Sequence, residues 1–264
     1  KGGFAVGGAF ADMLIVREAN NTFVEFLADK VRGIVKDPET AEKLIPRTYP
    51  AGSKRICVDT GYFEVYNRPN VKLIDVSASP VTVTPKGVST GGKEYELDVI
   101  IFALGFDAMT GALSKIDIRG RNGETLKEKW DGGPRTYLGL MVAGFPNLFI
   151  VTGPGSPSVL SNMIVSIEQH VDWIGDCIAA MGHRQMDAIE ATQAAEDGWI
   201  AHVNEVANMT LYPQANSWYV GANVPGKPRV FMPYPGGVDI YRQLCNDVVA
   251  KGYEGFAMTS SAQA

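Results

Sequence analysis

The stretch DVIIFALGFD, residues 98–107, constrains this chain more than any other. Val99, Ile100, Ile101, Phe102, Ala103 and Leu104 form an unbroken apolar run, opened by Asp98 and closed by Gly105. That pattern suits a strand covered on both faces, as at the centre of a parallel sheet, and it makes α/β the expected fold class. Ligands of such sheets sit outside the carboxyl ends of the strands, here near Gly105, Phe106 and Asp107. A second apolar run, residues 145–151, reads as another buried strand that stops at Thr152, Gly153, Pro154 and Gly155. A long helix is expected after it, over about 159–181. Ile164, Ile167, Val171, Ile174, Ile178 and Met181 would form its buried stripe. A strand, a glycine-rich turn and a helix N-terminus together favour negative charge, through unpaired N–H groups and the helix dipole.

Residues 1–45 read as helical, with Phe23, Phe26, Leu27, Val31 and Ile34 on one stripe. Asp37 before Pro38 is an N-cap followed by proline at the first helical position, and starts a short helix through Leu44. A loop over 49–55 then enters a strand at 56–58, and residues 62–66 open a short helix. Residues 71–76, 81–84 and 94–97 form a meander of short strands, and 116–118 another strand. Asn122 and Gly123 are a hairpin pair suited to positive φ. Trp130 and Tyr137 are expected to pack in a core. Further helices are expected over 192–209, with Trp199, Val203 and Val206 inward, and over 238–250, capped by Lys251 and Gly252. Between them, residues 212–229 form a long irregular loop, and such loops in compact enzymes tend to be lids.

Composition narrows the function classes. A net charge of −5 and a pI near 5.3 give no electrostatic case for nucleic acid or an anionic membrane. No apolar run approaches the roughly 20 residues needed to span a bilayer. Cys57, Cys177 and Cys245 are widely and irregularly spaced, so buried free thiols in a reducing, cytoplasmic compartment are expected. His170, His183 and His202 show no metal-ligand spacing and read as structural or surface residues, with no metal site.

The run at 98–107 resembles the A-T-G-F/Y-D segment by which flavin monooxygenases with two dinucleotide-binding domains pass from the NADPH domain back into the FAD domain. The likeness continues through ALSKIDIRG (112–120), LKEKWDGGPRTYLGL (126–140), AGFPNLFIVTGPGSPSVLSNMIVSIEQHV (143–171) and NVPGKPRVFMPYPGG (223–237). Together these are similar to the C-terminal half of type I Baeyer–Villiger monooxygenases. Leu104 stands where that family has threonine, so any polar contact of its hydroxyl is lost. The G-x-G-x-x-G fingerprints and the F-x-G-x-x-x-H-x-x-x-W/D signature are not in this sequence.

The resemblance implies Rossmann-like FAD and NADPH domains with a helical insertion. Residues 1–50 would end the insertion, 51–103 belong to the NADPH domain and 104–264 to the FAD domain. It also implies FAD and NADPH as cofactors, and conversion of a ketone to an ester or lactone with O2 through a flavin C4a-peroxide. N- or S-hydroxylation and a non-catalytic truncated domain are the alternatives. Lys54 aligns with the lysine that binds the 2′-phosphate of NADPH, and Arg55 with the catalytic arginine. A compact ammonium suits a phosphate dianion, and a fixed guanidinium favours the peroxide anion and the negative oxygen of the tetrahedral adduct. Gly153, Pro154 and Gly155 would face the flavin pyrimidine edge, Val159 and Leu160 would line the ketone site with Met163 one turn on, and Trp218 would reach NADP+ as loop 212–229 closes. The polypeptide by itself is expected to be a fragment that does not catalyse oxygenation.

Overall fold

The computed structural model describes residues 10–260, so the opening residues 1–9 of the helical reading lie outside the described part. The chain divides into two units, Lys1–Gly105 and Phe106–Ala264. Each contains both helix and strand.

In the first unit, helix α1 (Arg17–Ile34) and helix α2 (Pro38–Leu44) pack together. The Asp37 side chain accepts the Thr40 N–H at 2.9 Å and Pro38 occupies the first turn, as the sequence leads one to expect. The buried face of α1 shares only Val31 with the expected stripe. Asn20, Val24, Ala28 and Val31 point inward, while Phe26 is exposed and Phe23, Leu27 and Ile34 are half-buried. The small Ala28 lets α2 approach through Ala41 and Ile45, and bulky phenylalanines would hold the helices apart. Phe23 and Phe26 instead stack on each other beside that seam, 6.2 Å between centroids.

Strands β1 (Thr82–Thr84), β2 (Gly87–Thr90) and β3 (Lys93–Glu96) form an antiparallel meander in the order β1-β2-β3. Gly91 and Gly92 make the two-residue β2–β3 turn with φ +57° and +76°, a geometry that favours glycine. Residues 62–66 contribute a 3₁₀ turn at Glu64–Asn67.

Residues 56–58, 71–76 and 98–104 do not form strands here. The central run is irregular and pairs with no strand, and Val99, Ile101, Phe102 and Leu104 are 66–86% exposed. A central strand is made by its neighbours, and no described strand of this chain pairs with it. Among the described strands every pairing is antiparallel.

The second unit holds a short helix α3 (Leu126–Lys129), helix α4 (Met163–His183), strand β4 (Ala188–Ala191), helix α5 (Gln193–Asn208), helix α6 (Val238–Ala250) and strand β5 (Phe256–Thr259). Thr125 and Glu128 close a capping box on α3, and Asn122 and Gly123 adopt the expected positive φ. Strand β5 pairs antiparallel with β4, from Ala188 opposite Thr259 to Ala191 opposite Phe256. Neither of these strands is evident from sequence. Trp173, Cys177 and Met181 of α4, Ile189, Trp199 and Val203, and Tyr241, Cys245 and Val248 of α6 form one core with Tyr137, Leu140 and Met141. Trp130 packs in a smaller core with Leu126, Val142, Phe145 and Ile150.

Two expectations fail in this unit, besides the strand at 116–118, which is irregular. Residues 145–151 bury Phe145 and Ile150 but are not a strand. Asn147 and Thr152 have φ of +59° and +57°, which breaks an extended course. Asn147 docks on β4 instead, donating its N–H to the Ile189 carbonyl at 2.8 Å and accepting the Ile189 N–H on its side chain at 3.0 Å. Helix α4 is the second case. Of the expected stripe Met181 is buried and Ile174 packs against the core, but Ile164, Val171 and Ile178 are more than half exposed, and the buried face is Ser166, His170, Trp173, Cys177 and Met181. The helix is apolar on both sides, and the face carrying Trp173 and Cys177 took the core, in contact with Tyr253 and Phe256.

Candidate functional site

The expected site residues fall in both units. In the first, Lys54 and Arg55 follow a loop fixed by a residue that sequence reasoning passed over. Buried Asn20 of α1 donates to the carbonyls of Met13 (2.8 Å) and Ala51 (2.9 Å), and accepts the Ala51 N–H at 2.9 Å. A side-chain amide paired this way acts as a backbone strand would, and it anchors the chain three residues before Lys54. Half-buried Lys54 places its ammonium 4.2 Å from the centre of the Tyr49 ring, a cation–π contact, and Arg55 is exposed. Burial pushes the Tyr49 phenol pKa up, which keeps that ring neutral beneath the ammonium. Cys57 is exposed rather than buried, with its thiol 3.8 Å from the Arg55 carbonyl.

In the second unit, Gly153, Pro154 and Gly155 are buried in a turn pressed against residues 136–140. A Cβ on Gly153 would lie 2.4 Å from the Gly139 carbonyl oxygen, so only glycine permits that approach. Thr136 donates its hydroxyl to the Pro154 carbonyl at 2.6 Å and accepts the Gly139 N–H at 3.1 Å, and the Trp199 indole donates to the Gly155 carbonyl at 3.1 Å. The turn does not run directly into the long helix. A 3₁₀ turn at Ser158–Leu160 intervenes, and Asn162 caps α4 by accepting the Ile164 N–H at 3.0 Å. Val159 and Leu160 are half-buried on that 3₁₀ turn, and Met163, the first residue of α4, is exposed. The positive end of a 21-residue helix dipole is thus bordered by accessible apolar side chains.

The long loop is ordered by two 3₁₀ turns, Tyr212–Gln214 and Trp218–Val220. Tyr212, Tyr219 and Phe231 pack edge and face beneath it, while Trp218 is half-buried, its ring 4.4 Å from that of Tyr219. The loop reaches the glycine turn through backbone. Gly155 donates to Met232 at 2.6 Å, Met232 donates to Tyr219 at 2.9 Å, and Tyr234 donates to Ser156 at 2.9 Å. Its other end is pinned by Lys227, which pairs with Asp107 and donates to the Thr110 hydroxyl at 2.7 Å, and by Asn223, which donates to the Phe106 carbonyl at 2.8 Å.

Gly153, Pro154, Gly155, Val159, Leu160 and Trp218 therefore share one connected region, and Lys54 and Arg55 share another. Asn20, Thr136, Trp199 and Lys227 support these regions; sequence named only Trp199, as an inward residue of its helix, and gave none of them this role. Their partners lie far along the chain, although Thr136, in LKEKWDGGPRTYLGL, and Lys227, in NVPGKPRVFMPYPGG, sat within quoted segments. Among the described residues, no group of three or more His, Cys, Asp and Glu side chains is arranged to hold a metal ion. No described helix is long and apolar enough to cross a membrane.

No family model matches the sequence. The chain is 43% identical over 258 residues to a Baeyer–Villiger monooxygenase of Pseudooceanicola batsensis, covering 97% of this chain and 47% of that protein. It is 42% identical over 254 residues to an acetone monooxygenase (methyl acetate-forming) of a Gordonia species, with 95% and 48% covered. A phenazine N-monooxygenase of Lysobacter antibioticus is 41% identical over 255 residues, with 96% and 46% covered. Among solved structures, an oxidised steroid monooxygenase bound to NADP superposes with a TM-score of 0.88 at 48% identity, covering 97% of this chain and 48% of that one. A complex of OTEMO with FAD and NADP superposes with a TM-score of 0.90 at 41% identity, covering 95% and 46%. The chain spans about half the length of the curated relatives it matches. Over nearly its whole length, this chain is homologous to the Baeyer–Villiger monooxygenases, and the share it covers fits their C-terminal half.

Proposed function

We propose that this chain forms part of an FAD- and NADPH-dependent monooxygenase that inserts one oxygen atom of O2 beside a ketone carbonyl, giving an ester or lactone. The observation that carries the reading is the adjacent pair Lys54 and Arg55 on a loop anchored by Asn20, in a chain related throughout to ketone oxygenases. The residues suit the cofactors that the related structures hold. Lys54 and Arg55 present two neighbouring cations to an anionic group, and the bordered N-terminus of α4 favours the negative edge of a ring system. When bound, NADPH supplies the reducing equivalents and FAD the oxygen-transfer chemistry.

In this reading Lys54 holds the 2′-phosphate, and Arg55 steadies negative charge at the reacting oxygen without donating its own proton. Gly153, Pro154 and Gly155 border the flavin, Val159, Leu160 and Met163 line the ketone pocket, and Trp218 meets NADP+. Residues 1–50 close a helical insertion, 51–103 complete a Rossmann-like NADPH domain and 104–264 a Rossmann-like FAD domain, in a cytoplasmic enzyme. Partner strands on both sides of residues 98–104 would then come from sequence beyond this chain.

The test begins with the coding sequence upstream of Lys1. Continuation into two G-x-G-x-x-G fingerprints supports the reading, and a start or stop codon there removes catalysis from it. In the complete protein, Arg55→Ala should leave flavin reduction by NADPH near its normal rate and abolish ester formation. A normal ester yield would overturn the assignment. Nitrogen oxygenation is the second reading, favoured by the phenazine N-monooxygenase relative. N-oxide from a heteroaromatic amine, with no ester from any ketone, would select it.

A further inference from the structure

The loops of the glycine turn are held by two buried side chains that the proposed chemistry does not use. His170 of α4 and Tyr241 of α6 are fully buried. The Thr152 N–H donates to His170 Nδ1 at 2.8 Å, His170 Nε2 lies 2.9 Å from the Tyr241 hydroxyl, and that hydroxyl donates to the Leu138 carbonyl at 2.6 Å. One proton arrangement satisfies all three contacts. Nδ1 must be bare to accept from Thr152, so the imidazole proton sits on Nε2 and is donated to the tyrosine oxygen. The tyrosine proton is then left for Leu138.

The two ends of this relay are strained. Thr152 and Leu138 have φ of +57° and +58°, a region unfavourable to β-branched and bulky residues. Each sits one residue before a glycine of the close approach, Gly153 and Gly139. Two strained residues on facing loops are thus each tied through their backbone to one histidine–tyrosine pair. Thr136 ties the same loops through Pro154 and Gly139.

We propose that His170 and Tyr241 are positioning residues that hold turn 152–155 and loop 138–140 in their strained, face-to-face form. This rests on the reading that Gly153, Pro154 and Gly155 border the flavin, and it names what fixes that border. Burial pushes the His170 pKa down to about 4, which keeps the imidazole in the neutral form the relay requires. A second proton on Nδ1 would face the Thr152 N–H donor to donor and release the turn.

The test is residue-resolved amide hydrogen exchange on the 264-residue chain, with ¹⁵N shifts of the His170 ring. His170→Phe should lower protection at 138–140 and 152–155 by about tenfold or more, and leave the middle of α5 within about threefold. His170→Asn, whose amide oxygen can replace Nδ1 but cannot reach Tyr241, should restore protection at Thr152 alone. Tyr241→Phe should release Leu138 first. An even loss across the whole second unit, or no loss at the two loops, would overturn the proposal. If the variants fail to fold, the wild-type ring decides: a proton on Nδ1 overturns the relay, and a bare Nδ1 supports it. In flavin-loaded protein, a shifted flavin absorbance in His170→Phe supports both readings. Loosened loops with an unchanged flavin spectrum leave the clamp standing and count against the flavin border.

Discussion

Histidine in an unfolded chain takes up its proton near pH 6.5. His170, walled off from water, does so only near 4. Its folded-state pKa is depressed, so the stability present above pH 6.5 is lost as the pH falls toward 4 and the unfolded chain gains a proton the folded chain refuses. The slope is about 1.4 kcal/mol per pH unit, or about 2 kcal/mol between pH 6.5 and 5. Denaturant unfolding at pH 7 and pH 5 should show that loss in the wild type and a smaller one in His170→Phe. Equal losses in the two proteins would mean that His170 does not titrate as its burial demands. Sequence placed this histidine among structural residues, and so it is, but its partners Thr152, Tyr241 and Leu138 could not be read there. No local spacing links a helix residue to a turn before it and a helix well after it. Asn20 and Ala51 pose the same difficulty.

At the scale of elements, legibility followed locality. Helices α2, α5 and α6 are nearly where their caps and stripes put them, because an N-cap such as Asp37 or Thr192 and an apolar period act within a few residues. The strands expected at 98–104 and 145–151 are not formed, because a strand depends on partners that its own residues do not specify. What α5 does once formed was equally hidden. Its Glu196, fully buried in the first turn, accepts the Ala143 N–H at 2.9 Å and faces Arg135 at 3.3 Å and Lys129 at 3.4 Å, so it binds the loops before the glycine turn to the helix. Removing one partner of a buried charge cluster strands the others and costs about 3–5 kcal/mol. Glu196→Ala should lower the unfolding free energy by that order. Glu196→Gln, which keeps an acceptor for Ala143, should lower it less. If both lie within about 0.5 kcal/mol of wild type, the cluster is solvated and α5 does not tie the loops.

At the scale of the whole molecule, the apolar run at 98–104 that suggested a central strand has become exposed surface. Val99, Ile101, Phe102 and Leu104 are 66–86% exposed in a stretch that pairs with no strand, Phe106 beyond them is 89% exposed, and α4 leaves Ile164, Val171 and Ile178 open on one face. Soluble proteins seldom expose contiguous apolar patches of this kind, and a segment without strand partners also offers its N–H and C=O groups to other chains. The 264-residue chain should therefore self-associate as its concentration rises. Ile101 and Leu104 make no buried contact that folding would lose, so replacing both with lysine should reduce association and leave the unfolding midpoint where it was. Light scattering and denaturant unfolding on the same samples separate the two effects. A lowered midpoint would mean that residues 98–106 pack against protein in solution. Unchanged association at an unchanged midpoint would place the adhesive surface on the open face of α4, where Ile164→Lys, Val171→Lys and Ile178→Lys together should then disperse the chain.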